Sequence, residues 1–270
     1  MKFQTNIDII SPNFSFKPCE RVLFVGSCFA DNIGKRFKEE KFRTIVNPFG
    51  VMYNPVSILH TVQKLSNQVF DIAVFTLGTN HVYVEKATGE IVDNCQKRPQ
   101  KLFNEQELTI DEAANALREA IHLLRKQKPN VKVIVTVSPI RYAKYGFHGS
   151  QLSKATLLLA ADKLVREEGE AVYYFPAYEI VNDELRDYRF YKADMLHPND
   201  QAVEYIWERL VATCFSSEAK KFLEAWRPIK EALGHRPFNP DSEAYRLFMQ
   251  KTKEKIQWLK QLYPDLELDE

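Results

Sequence analysis

Five short, almost uninterrupted apolar runs, at residues 22–25, 44–46, 72–77, 131–137 and 171–175, are separated by stretches of amphipathic character. This alternation restricts the fold more than any other feature of the chain. A strand that is apolar on both faces must be covered on both, and helical crossovers between such strands make them parallel. The pattern therefore predicts an α/β protein in which a parallel sheet is covered by helices. Phe29, Ile33 and Phe37 recur every four residues and predict a helix directly after the first strand, its apolar stripe against the sheet. In Thr109-Ile110-Asp111-Glu112 the threonine can cap a helix while the glutamate reaches back to it, which predicts a helix through residues 113–126. Further helices are expected over 153–168 and 200–213. Residues 81–94 read as a hairpin inserted near the sheet edge, with Val82 and Val84 alternating, a turn at Ala87-Thr88-Gly89, and Ile91 and Val92 returning.

The pattern changes after Phe215. Helical periodicity over 219–233 and 243–262, interrupted by Gly234-His235-Arg236-Pro237-Phe238-Asn239-Pro240, suggests a main domain over 1–215 and a C-terminal helical extension over 216–270 packed on it. Trp226, Phe248 and Trp258 favour packing over disorder. A length of 270 residues allows one large core with such an appendage. Net charge is +1 with both signs interspersed, so nothing marks a nucleic-acid partner. The first residues lack a basic start followed by an apolar run, and no stretch is long and apolar enough to span a bilayer. The expected compartment is the cytoplasm. Cys19, Cys28, Cys95 and Cys214 are scattered, without the paired spacing of a zinc or redox motif, and no metal or cofactor is expected.

Chemistry concentrates in a few places. Asp194 and His197 are spaced so that one short turn can bring their side chains together, the carboxylate fixing the tautomer of a histidine that shuttles a proton. Far upstream, Gly26-Ser27-Cys28 leaves the first strand at the edge where open α/β sheets bind ligands. The helix that follows presents free N–H groups and a positive dipole end, which favour a thiolate or an activated hydroxyl. Asn47-Pro48-Phe49-Gly50 leaves the second strand and Gly78-Thr79-Asn80 the third, so the Gly50 N–H, the Asn80 amide and the nucleophile's own N–H are candidate oxyanion donors. His81 and His148 lie on loops at the expected mouth and are candidate substrate contacts, whereas His60, His122 and His235 carry no ligand spacing. Arg141, Lys154, Arg186 and Arg189 could hold an anionic group, although buried pairs with Glu179, Asp183 or Asp187 are the expected use; Arg141 is kept as a candidate substrate contact.

The run Val25-Gly26-Ser27-Cys28-Phe29-Ala30 carries the signature of the GSCFA-domain family. The resemblance continues through Asn47-Pro48-Phe49-Gly50, Tyr53-Asn54-Pro55, Thr76-Leu77-Gly78-Thr79, Asn94-Cys95 with Lys97 and Pro99, Val137-Ser138-Pro139 with Arg141, Ser153-Lys154-Ala155, residues 174–179, residues 183–191 and the 194–198 block. It covers roughly residues 20–215. This family is similar to the SGNH/GDSL hydrolases, and the resemblance implies a three-layer α/β/α, flavodoxin-like fold and hydrolysis or transfer of an acyl ester. Gln96 and Tyr142 stand where the family commonly has histidine, Ser150 where it usually has asparagine, and Asn80 restores the superfamily's oxyanion donor.

Two registers are open for the nucleophile. In the superfamily's Gly-Asp-Ser block the second residue after glycine attacks, which here is Cys28; a shift of one residue would make it Ser27. Cys28 is preferred. The expected protein is thus a carboxylic ester hydrolase or O-acyltransferase acting on a small-molecule or carbohydrate acyl ester, such as an O-acetylated sugar. Cys28 or Ser27 is the nucleophile, His197 the base and Asp194 its orienter. The alternative is a non-catalytic binding or scaffolding protein that retains the pocket. The oligomeric state is left open.

Overall fold

The computed structural model describes residues 4–65, 67–93, 95 and 98–268. In chain order, the first half holds β1 (Arg21–Gly26), α1 (Cys28–Glu39), β2 (Arg43–Val46), α2 (Pro55–Lys64), β3 (Ile72–Leu77), β4 (His81–Glu85), β5 (Ile91–Val92), β6 (Phe103–Glu107) and α3 (Ile110–Gln127). The second half holds β7 (Lys132–Val137), α4 (Gly146–Glu168), β8 (Val172–Tyr174), the short α5 (Ala177–Glu179) running into a π-helical turn over Ile180–Leu185, α6 (Asp200–Cys214), α7 (Ser217–Gly234) and α8 (Glu243–Leu262).

Five strands form one parallel sheet in the order β2-β1-β3-β7-β8. Counted within that sheet this is the 2-1-3-4-5 order of flavodoxin-like folds, as expected, and the topological switch point falls between β1 and β3. Alternate side chains of each strand enter opposite cores. Val22, Phe24, Val74 and Ile134 pack with Phe29, Ile33 and Phe37 of α1 and Ile206 and Leu210 of α6. Leu23, Val25, Phe75 and Val135 pack on the other side with Ile58 and Val62 of α2, Leu117 and Ile121 of α3, and Leu157 and Leu164 of α4. Both faces are covered, which is why these strands read as nearly continuous apolar runs.

The expected strands and helices are present, with shifts at their ends. The Thr109–Glu112 capping box forms as read. Helix α4 begins at Gly146, seven residues earlier than the spacing suggested, because its first two turns are mostly exposed, Phe147 and Leu152 included, and carry no buried apolar stripe. The unforeseen elements include α2, β6 and the short α5 with its π-helical turn. Asn54 caps α2 by accepting from the Ser57 N–H at 2.9 Å, with Pro55 in the first turn. The polar strand β6 joins β4 and β5 in an antiparallel three-stranded sheet, so the expected hairpin is two strands of a larger insertion. Asn94, where that hairpin was read to end, lies outside the described residues, as do Gln96 and Lys97.

The C-terminal helices pack as a pair around Phe222, Trp226, Ile229 and Leu259. Trp226 Nε1 donates to the Glu39 carbonyl at 2.9 Å, which fastens α7 to the end of α1. Among the described residues no helix is long and apolar enough to cross a membrane.

Candidate active site

Strand β1 ends at Gly26, whose φ of +146° and setting both demand glycine: a Cβ there would lie 2.2 Å from the Thr76 carbonyl oxygen. The Gly26 N–H donates to Asn47 Oδ1 at 2.9 Å and the Ser27 N–H donates to the Thr76 carbonyl at 3.0 Å. The turn is therefore fastened to the loop after β2 on one side and to β3 on the other. Ser27 is the N-cap of α1. It is fully buried, its Oγ accepts from the Phe29 N–H at 3.2 Å, and the same oxygen lies 3.2 Å from Thr76 Oγ1. Cys28 is the first helical residue and half-exposed, its Sγ 3.9 Å from the Tyr53 hydroxyl. One position of difference places the hydroxyl inside the protein and the thiol outside.

At the other end of the chain, a single carboxylate organises the histidine. Asp194 Oδ1 accepts the N–H groups of Leu196 and His197 at 2.9 and 3.0 Å, and Oδ2 lies 2.6 Å from His197 Nδ1. The His197 and Leu196 N–H donors, and then the imidazole itself, hold the Asp194 carboxyl well below its usual range, at about 2. With Nδ1 occupied by Asp194, Nε2 is the ring nitrogen left for chemistry.

Arg141 and Tyr142, which follow β7, lie between these two ends. The Arg141 N–H donates to the Leu196 carbonyl at 3.1 Å and its Nη1 to the Met195 carbonyl at 3.0 Å, so it clamps the turn that carries His197. Its guanidinium stands 4.2 Å from the Phe147 ring centroid and 5.8 Å from that of Tyr188. Tyr142 packs edge-on against Tyr53, the ring centroids 6.0 Å apart, and the Tyr53 hydroxyl faces Cys28. Burial pushes the Tyr53 phenol up to about 12, with the neighbouring Cys28 thiol adding to the rise.

Other expected positions serve different ends. The Gly50 N–H closes its own turn by donating to the Asn47 carbonyl at 2.9 Å, so it is not turned outward as a donor. Asn80 is buried; its Nδ2 donates to the Leu108 carbonyl at 2.9 Å while the Leu108 N–H donates back to the Asn80 carbonyl at 2.9 Å. That reciprocal pair fastens the start of β4 to the segment before α3 and takes one of the two N–H groups of the amide. His81 is stacked flat on Tyr145, the centroids 3.6 Å apart, with its ring nitrogens 3.5 Å from Glu105 and 3.9 Å from Glu107. Burial lowers its pKa against the pull of those carboxylates, and the ring is locked in the insertion. His148 is exposed on the first turn of α4 and joins none of these contacts. Arg186 and Arg189 are exposed and sit 3.9 Å from Asp183 and 3.8 Å from Asp187, so their pairs are surface pairs instead of the buried ones expected.

Lys154 departs furthest from expectation. It is buried, with no carboxylate partner among the described residues; its Nζ donates to the Gly78 and Ser138 carbonyls at 2.6 and 2.7 Å. Desolvation lowers its pKa to about 7. A sequence signal for it existed, since Lys154 shares the buried stripe of α4 with Leu157, Ala161 and Leu164, where a charged residue needs a reason. Tyr53 and Tyr142 gave no signal through spacing or burial pattern, and only the family resemblance had marked their positions. Among the described residues, no group of three His, Cys, Asp or Glu side chains could hold a metal ion.

Residues 21–71 and 64–210 match the GSCFA family, and residues 226–270 match the GSCFA domain protein, C-terminal domain. Curated protein sequences give no significant match. Among solved structures, similarity extends to a carbohydrate esterase family 3 protein from Talaromyces cellulolyticus, at 13% identity over 76% of this chain and 98% of the other with a TM-score of 0.44. A catalytic mutant of an acetylxylan esterase from Geobacillus stearothermophilus aligns at 14% identity over 75% and 98%, with a TM-score of 0.48. A family two carbohydrate esterase from Clostridium thermocellum in complex with cellohexaose aligns at 11% identity over 76% and 65%, with a TM-score of 0.43.

Proposed function

The chain belongs to the GSCFA family, and from that premise we propose that it is an SGNH-like carboxylic ester hydrolase or O-acyltransferase whose nucleophile is Cys28. The observation that carries this reading is the Asp194–His197 pair. One carboxylate oxygen is fixed by two backbone N–H groups and the other lies 2.6 Å from Nδ1, an arrangement that suits a proton-shuttling imidazole. Cys28 supports it from the other side, as a half-exposed thiol at the N-terminus of a twelve-residue helix, at the switch point of a parallel sheet.

In this mechanism the Cys28 sulfur bonds to the ester carbonyl carbon while its proton passes to His197 Nε2, and the carbonyl electron pair moves onto oxygen. Collapse of that intermediate breaks the ester C–O bond, and the departing alkoxide takes the proton from His197. Water, or the hydroxyl of an acceptor, then gives its proton to His197 and attacks the thioester; the C–S bond breaks and the thiol is restored. Asp194 stays ionised throughout and holds the imidazole. Exposed aromatic side chains at Phe49, Tyr53, Phe147 and Tyr188 offer flat apolar faces suited to a sugar ring, which supports an O-acetylated carbohydrate as substrate. The four free cysteines are in keeping with action in the cytoplasm, and residues 1–215 and 216–270 are proposed as main domain and helical extension.

A second reading, a binding or scaffolding protein without chemistry, draws on one observation: the Gly50 N–H and one N–H of the Asn80 amide are both committed to internal acceptors. Turnover of p-nitrophenyl acetate separates the two. The wild-type protein is expected to hydrolyse it, and His197→Ala to lose at least ~100-fold in kcat/KM while keeping its fold. A folded His197→Ala protein as active as wild type would overturn the triad, and an inactive wild type would favour the binding reading.

A further inference from the structure

If an ester carbonyl is attacked at Cys28, its oxygen needs donors, and the polar groups at this sheet edge can be accounted for one by one. The Ser27 N–H is taken by the Thr76 carbonyl, and the Gly78 and Thr79 N–H groups by the Tyr53 carbonyl at 3.0 and 2.8 Å. The Asn80 backbone N–H goes to Ser153 Oγ at 3.0 Å, and one of its two side-chain N–H groups to the Leu108 carbonyl. Gly50 closes its own turn. The Cys28 N–H remains, because the first N–H of a helix has no acceptor within it.

Among the described residues the hydroxyls of Ser57, Thr136 and Tyr142 are buried without a hydrogen-bond partner, an arrangement proteins avoid unless the group has a use, and of the three only that of Tyr142 lies against Gly78. It rests in the notch left by the missing side chain of Gly78: a Cβ on that glycine would sit 2.4 Å from the hydroxyl oxygen and 3.4 Å from Ser27 Cβ. The phenol thus reaches the floor of the turn that presents Cys28. Behind it, the buried Lys154 ammonium lies 5.1 Å from the centre of the Tyr142 ring, fixed by the carbonyls of Gly78 and Ser138. Lys154 holds the Gly78 carbonyl in place, which is the part of a positioning residue.

We infer that the Tyr142 hydroxyl is an oxyanion donor of this site, acting with the Cys28 N–H. The inference rests on the proposed ester chemistry, and it means that the site carries a donor after β7.

The test is Tyr142→Phe, assayed on p-nitrophenyl acetate and on the corresponding thionoester, whose sulfur accepts hydrogen bonds poorly. Loss of one oxyanion donor is expected to lower kcat for the oxygen ester by ~100-fold or more with KM little changed. The wild-type preference for the oxygen ester over the thionoester should shrink in the variant, which a general disturbance of structure would not cause. The melting temperature should not fall, because the hydroxyl has no partner to lose. Turnover that His197→Ala abolishes and Tyr142→Phe preserves would overturn the donor assignment while leaving the triad intact. An equal loss on both esters would overturn it too, and a wild-type protein inactive on the ester would remove both readings.

Discussion

The two halves of the proposed site are built in opposite ways. The Gly26–Cys28 turn is held from a distance: Thr76 from β3, Asn47 from the loop after β2, and a glycine whose missing side chain lets the Thr76 carbonyl approach. The Asp194–His197 turn is held mainly by itself, through one exposed carboxylate that accepts three bonds within four residues, with Arg141 as the external clamp. A residue fastened by long-range packing cannot be changed without disturbing the sheet, whereas a locally bonded turn can lose its chemistry and leave the core untouched. Mutations on the two sides should therefore be felt in different quantities, activity for one and stability for the other.

The largest effect is expected at the local turn. In Asp194→Asn the side-chain oxygen can still accept the Leu196 and His197 N–H groups, but an amide nitrogen facing Nδ1 imposes the wrong tautomer on the ring. Turnover should fall by ~100- to 10,000-fold with an unchanged denaturation midpoint. A marked loss of stability would show that the turn is not self-sufficient. The pH course follows the same logic. A carboxyl lowered to about 2 from 3.8 contributes stability above the higher value and loses it as pH falls through the lower one, so Asp194 stays ionised across the neutral and mildly acidic range.

Asn80→Ala tests the sheet-backed side. It leaves the buried Leu108 carbonyl without its donor, so unfolding in urea should report a loss of ~1–3 kcal/mol. The kcat of the folded fraction should change much less than in Asp194→Asn. A loss confined to kcat would restore Asn80 as an oxyanion donor and erase the contrast between the two halves.

Lys154→Met gives the smallest and most specific signal. Because burial lowers the Lys154 pKa to about 7 from 10.5, the folded protein binds fewer protons than the unfolded chain between those values, and stability there rises with pH. Thermal unfolding of the wild type should reflect that rise, on top of the contributions of other groups, and the variant should lose that part of it. Equal pH dependence in both proteins would mean that the ammonium is not desolvated as described.

Much of this architecture was legible because one requirement fixed it. Runs apolar on both faces must be covered on both, so 22–25 and 72–77 identified a parallel sheet, and the spacing of Phe29, Ile33 and Phe37 identified the helix above it. The Asp194–His197 contact was legible for a related reason, since three residues on one turn leave little choice of partner. Strand β6 was not, because Asn104, Glu105, Gln106 and Glu107 are exposed on both sides and carry no apolar alternation. The donors failed for a deeper reason. Whether the Asn80 amide or the Gly50 N–H is free depends on acceptors brought by other elements, Leu108 in one case and Asn47 in the other. Spacing along the chain carries no record of which acceptor arrives first. The same holds for Tyr142, whose place beside Cys28 depends on a glycine 64 positions earlier in the chain.

The claim that Cys28 takes the acyl group can be met head on by acid-quenching the wild-type protein in its first turnovers of p-nitrophenyl acetate and fragmenting the peptide that contains Ser27 and Cys28. One acetyl group on Cys28 sulfur, removed by neutral hydroxylamine as a thioester is, is the predicted result. Acetylation of Ser27 oxygen, or ester turnover with neither side chain modified, would contradict it.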